Sequence, residues 1–189
     1  PLNPIEMGMA DEASVVSRLM EDETYAALFK ALYGDTVFDD SKTAYAAMTD
    51  AIEAFEKTNE FAPFDSKYDR YLRGDYKMTS QEELGMTLFF SNQFTNCNTC
   101  HQLKKFGGSE GETFSNYQYH NIGVPTNKAA RAENGIAIDH QDLGLFENPA
   151  IDDVTQKGKF KTPTLRNVAV TGPYMHNGVF TDLLTVIKF

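Results

Sequence analysis

Two thiols and an imidazole fall within one short run, Cys97-Asn98-Thr99-Cys100-His101, and the chain holds no further cysteine. The C-x-x-C-H spacing sets both sulfurs on one helical turn and brings the imidazole of the next residue to the same side. That arrangement suits covalent attachment of a c-type haem, with each thiol added to a vinyl group and His101 as proximal iron ligand. Other chemistries fit less well. A thiol–disulfide redox pair opens a helix in a strand–helix–strand setting, and no strand-rich pattern surrounds this one. A zinc site needs a closed shell of four ligands, and no other Cys is there to complete it. Haem attachment uses both thiols and places maturation in an oxidising, extracytoplasmic compartment.

The remaining composition narrows the partners. With 189 residues, the chain makes one full-sized domain or two small ones. Hydrophobic residues make up 41% and charged residues 23%, enough to build a core. Seventeen basic against 27 acidic residues give a net charge of −10. Nucleic acid and anionic lipid both require a basic face, so both are disfavoured. No apolar run approaches the roughly 18 residues of a membrane span. No signal peptide is visible and the first residue is Pro1, so a processed or cut product is expected. Trp is absent, which removes one common electron-hopping side chain.

Periodicity predicts a helical first half and a loop-rich second half. Residues 11–33 read as one helix, capped by Asp11 and ended by Gly34. A second helix is expected over 41–57, with Tyr45, Met48, Ile52 and Phe55 on one face. Ser66 to Arg73 reads as a short helix ended by Gly74. Thr79-Ser80-Gln81-Glu82 is a capping-box pattern opening a helix to about Ser91. Gly85 inside it costs about 1 kcal/mol against Ala, a cost offset by close approach of a helix or a flat ligand. The acidic runs Glu21-Asp22-Glu23 and Asp39-Asp40 read as solvated helix ends. After His101, frequent Gly and Pro punctuate the chain, and a loop-dominated half needs something large to pack around. The apolar segment 180–189 reads as a helix without a terminal cap, so the natural polypeptide is expected to continue.

Spacing leaves the second axial ligand open. Met175 is the one Met after the haem motif, and thioether ligation suits electron transfer. His120, His140 and His176 are the other conventional candidates. Small basic clusters, Lys104-Lys105, Lys128 with Arg131, and Lys157, Lys159 and Lys161, read as solvated faces.

Several further runs carry a family resemblance. They are Pro1-Leu-Asn-Pro-Ile-Glu-Met-Gly8, His120-Asn-Ile-Gly123, Phe160-Lys-Thr-Pro-Thr-Leu-Arg-Asn167 and Thr171-Gly-Pro-Tyr-Met-His-Asn-Gly178. In this order around a C-x-x-C-H they resemble the bacterial dihaem cytochrome c peroxidases and their MauG-like relatives. The resemblance covers nearly the whole chain. It implies a mainly α, cytochrome c-type haem domain with long loops, the C-terminal electron-transfer domain of a periplasmic dihaem protein. Residues 1–40 would link to an upstream peroxidatic haem domain, and 41–189 would form the haem domain, cut short at its C-terminus.

The same resemblance implies roles residue by residue. Glu6 matches an acid/base glutamate that serves the upstream haem. Thr171 and Pro173 match positions whose backbone carbonyls bind Ca²⁺ between the two haems. Arg166 sits in the matched Leu-Arg-Asn run and suits a haem propionate. The family often carries Phe where Met175 stands. Its distal ligand, Met or Tyr, aligns one residue beyond Phe189, so both assignments stay open. Electrons would come from a small cytochrome c or a cupredoxin and pass to H2O2. In a MauG-like variant they would be drawn instead from a protein substrate. The resemblance leaves room for a homodimer. A stand-alone monohaem electron carrier is the rival reading, since nothing in C-x-x-C-H excludes it.

Overall fold

The computed structural model describes Leu2, residues 8–103 and residues 111–189, and it divides into two compact units, Pro1–Phe64 and Asp65–Phe189. This division lies further along the chain than the 40/41 boundary expected from sequence, because the helix after Asp40 packs within the first unit.

That unit contains α1 (Glu12–Met20), α2 (Glu23–Tyr33) and α3 (Ser41–Glu56). Each begins at an aspartate. Asp11, Asp22 and Asp40 accept hydrogen bonds from the backbone N–H groups of Ser14, Thr24 and Thr43, satisfying donors that a helix start leaves unpaired. The single helix expected over 11–33 is therefore two, because Asp22 starts a new one. The acidic runs are the caps themselves. Gly34, at φ 99°, ends α2 in a conformation that a side chain would strain. The core gathers Phe29, Val37 and Ala47, with Leu19, Phe38, Met48 and Ala51 packed around them.

The second unit contains α4 (Lys67–Arg73), α5 (Ser80–Phe89), α6 (Lys128–Asn134) and α7 (Leu183–Lys188). Ser66 and Thr79 make both halves of a capping box, with Asp69 and Glu82 as the returning carboxylates. The pattern at Thr79 was legible in sequence. α6, capped by Asn127, was not, because Gly and Pro crowd its surroundings. Two short strands, β1 (Tyr119–His120) and β2 (Phe160–Lys161), pair antiparallel with Tyr119 opposite Lys161. The architecture is mainly α with long loops, as the sequence predicts. The terminal helix is shorter than expected, since Phe180 pairs instead with Tyr174 in a bridge that closes a tight loop.

Candidate haem-binding site

The C-x-x-C-H run forms a 3-10 turn, Cys97–Thr99, entered through Asn96 in the left-handed region at φ 53°. Asn tolerates that conformation better than most residues. The backbone N–H of Asn96 donates to the Ser91 carbonyl at 3.0 Å, and the hydroxyl of Thr95 donates to the Leu88 carbonyl, tying the turn to the end of α5. The His101 N–H donates to the Cys97 carbonyl at 2.9 Å, which closes the turn. Both thiols are free and half-buried, so neither is spent on a disulfide.

The His101 imidazole is oriented by a partner that spacing could not reveal. Nδ1 lies 3.0 Å from the Phe114 carbonyl oxygen. A carbonyl only accepts, so Nδ1 carries the proton and Nε2 keeps its lone pair for a metal. A ligating imidazole commonly donates its second N–H in this way, which fixes its tautomer and raises its basicity.

Every residue around Phe114 is pinned. The Glu112 carbonyl accepts from Nε of Arg166 at 2.7 Å, and the Thr113 carbonyl accepts from the Thr164 hydroxyl at 2.6 Å. Ser115 is fully buried and donates to the Thr162 carbonyl at 2.7 Å. The Asn116 N–H donates back to the Cys100 carbonyl at 2.8 Å. The run 162–166 thus braces the segment that braces His101.

Arg166 completes the brace. Its guanidinium meets both oxygens of Asp69, Nη1 to Oδ2 at 2.5 Å and Nη2 to Oδ1 at 2.9 Å, and its Cζ lies 5.4 Å from the Phe114 ring centre. Burial opposes the charge on Asp69, but hydrogen bonds from Arg166 and Ser66 outweigh it and hold the carboxyl at about 2. Within this chain the guanidinium of Arg166 meets the Asp69 carboxylate.

Met175 lies in the loop closed by the Tyr174–Phe180 bridge. It is half-buried, with φ 68°, and its carbonyl accepts from the Gly178 N–H at 3.3 Å. Thr171 and Pro173 are exposed at the same loop. His176 stacks on Phe160, ring centres 3.5 Å apart, and its Nε2 stands 4.0 Å from Asp142. Burial lowers its pKa, against the opposing pull of Asp142. His120 receives Asn116 Nδ2 at 3.2 Å on its Nε2. Lys157 and Lys161 cover the rings of Phe146 and Tyr117. Glu6, Lys104 and Lys105 lie outside the described residues.

The second unit fits a haem in one further respect. Among its described residues, the buried ones are Asp69, Ser115, Asn116 and Thr162, all polar. Leu84, Leu88, Phe94, Leu103, Ile122 and Val170 are exposed. A unit of this size needs an apolar centre to fold, and a flat macrocycle bound at Cys97 and Cys100 would supply one. A side chain at Gly85 would meet no described residue within 4 Å. No group of three His, Cys, Asp or Glu among the described residues is placed to hold a bare metal ion.

Comparison with known proteins places this geometry. The family model described as di-haem cytochrome c peroxidase matches residues 1–77. The methylamine utilization protein MauG of Paracoccus denitrificans is 53% identical over the whole chain, which spans 48% of that protein. The cytochrome c peroxidase Ccp of Escherichia coli is 32% identical over 100% of the chain and 35% of its own length. The crystal structure of the diheme peroxidase BthA from Burkholderia thailandensis superposes with a TM-score of 0.81 at 30% identity, covering all of this chain and 46% of that one. The chain spans about half the length, or less, of these relatives.

Proposed function

Since the chain belongs to the dihaem cytochrome c peroxidase and MauG family, we propose that it is the C-terminal, electron-transfer haem domain of a periplasmic peroxidase or MauG-like oxidase. The observation that carries this reading is His101, its Nδ1 committed to the Phe114 carbonyl, beside two free thiols in a unit whose buried residues, among those described, are polar. When bound, the haem supplies a reversible one-electron iron couple. Cys97 and Cys100 would hold it covalently, so that it could not be lost on reduction. His101 would offer Nε2 to the iron, with the Phe114 carbonyl fixing the ring through Nδ1. A segment braced in this way would limit reorganisation when the iron changes oxidation state, which suits electron transfer.

In this reading the domain receives electrons from a small cytochrome c or a cupredoxin. It passes them to a second, peroxidatic haem that reduces H2O2, or that draws electrons from a protein substrate. Glu6 would serve that second haem as acid/base, and the carbonyls of Thr171 and Pro173 would hold Ca²⁺ between the two. Met175 is read as packing against the haem rather than ligating it. This chain alone should accept electrons yet turn over H2O2 only slowly. Stopped-flow reduction by a reduced small cytochrome, followed by a peroxide assay, tests both halves. Peroxide turnover as fast as that of a complete dihaem enzyme would overturn the assignment.

A further inference from the structure

The Asp69–Arg166 pair lies away from His101 in sequence, yet its contacts reach Glu112 and the ring of Phe114, the residue whose carbonyl orients the imidazole. Phe114 has φ 55°, a conformation that costs a bulky residue energy and persists only where its surroundings impose it. Arg166 imposes it from two sides, donating to the Glu112 carbonyl and lying over the Phe114 ring. Asp69 fixes the guanidinium through two oxygens and is itself 6% exposed. Its Oδ2 also accepts from the N–H and hydroxyl of Ser66, at 2.9 and 2.5 Å. Tyr68, next to Asp69 in α4, packs edge-on against Phe114 with ring centres 5.3 Å apart. Helix α4 therefore holds the Phe114 ring through Tyr68 and, through Arg166, the backbone at Glu112 that precedes it.

We propose that the Asp69–Arg166 ion pair is a positioning device for the His101 imidazole, setting the direction and strength of the Nδ1–H bond to Phe114 and through it the reduction potential of the iron. The inference rests on His101 being the proximal ligand. The physical step is short. A hydrogen bond from Nδ1–H gives the imidazole more negative character, which favours the oxidised iron. Guanidinium geometry matters because two parallel bonds fix an angle as well as a distance. A Lys at position 166 keeps the charge but makes no such fork.

The test uses the haem-loaded protein with three variants: Asp69→Asn, Arg166→Lys and Thr164→Val. The first two break the fork. The third removes the Thr164 hydroxyl, which donates to the Thr113 carbonyl and accepts from the Arg166 N–H, and leaves both charges paired, so it keeps the test decisive if the others fold poorly. Midpoint potential and solvent exchange of the His101 Nδ1 proton, followed by paramagnetic NMR, are the readouts. The expected result is an upward shift in potential and faster proton exchange in Asp69→Asn and Arg166→Lys, with a smaller change of the same sign in Thr164→Val. Lower thermal stability with unchanged potential and unchanged exchange would mean a purely structural ion pair and would overturn the inference. So would a fully folded Thr164→Val with both readouts at the parent value when the other two variants do not fold. Failure of the parent protein to attach haem is a separate result, read from its spectrum, and counts against the proximal role of His101.

Discussion

Asp69 and Arg166 form a two-point ion pair, with Nη1–Oδ2 at 2.5 Å and Nη2–Oδ1 at 2.9 Å, between a carboxylate whose side chain is 7% exposed and a guanidinium that is 19% exposed. Removing one partner leaves the other charged and desolvated, which typically costs 3–5 kcal/mol. Asp69→Ala should therefore cost about 3 kcal/mol in the second unit, measured by denaturant melts of the haem-loaded protein. A cost below about 0.5 kcal/mol would mean that water replaces the lost partner.

The same pair sets an acid limit. The Asp69 carboxyl is held at about 2 in the folded chain against an ordinary 3.8. A depressed carboxylate stabilises the fold above its unfolded pKa and loses that contribution as pH falls through the folded value. Stability of the second unit should fall between about pH 4 and pH 2, and Asp69→Asn should flatten that slope. An unchanged slope in melts across this range would assign the loss to other carboxylates, such as Glu82.

Cap and core changes separate the two units. Thr79→Ala removes the α5 cap and should cost about 1 kcal/mol. Phe29→Ala opens the core around Val37 and Ala47 and should cost about 3–5 kcal/mol in the first unit. Hydrogen exchange resolves the units, and loss of protection confined to α5 for the first change and to residues 12–56 for the second is expected.

Met175→Leu conserves volume and apolarity. If Met175 packs against the haem, as we propose, the potential should move only slightly. Disappearance of a sulfur-to-iron charge-transfer band at the red end of the spectrum, with a steep fall in potential, would make Met175 the ligand.

The parts of the fold legible in sequence are those set by short-range chemistry. Thr79 and Glu82, three residues apart, announced their capping box, and the C-x-x-C-H run announced its turn. The break of the first helix at Asp22 was hidden because apolar spacing ran on across it, and a cap is a local choice that periodicity does not report. The site showed the same limit. Cys97, Cys100 and His101 could be named from spacing, but the Phe114 carbonyl could not, since a backbone acceptor leaves no mark in the sequence. Arg166 was visible as a carboxylate binder, but Asp69 reaches it through the tertiary fold. Ser66-x-x-Asp69 looked like an ordinary helix start, and it is one. The same carboxylate also holds the guanidinium.

Covalent haem on the 97–101 turn is tested most directly by the mass of the protein, matured in a host that attaches c-type haem, after denaturation and acid–acetone extraction. The expected mass is that of the chain plus one haem, with the added mass on the peptide containing Cys97 and Cys100 and lost when both are changed to Ser. A chain at its bare mass after extraction, with both thiols still open to alkylation, would contradict it.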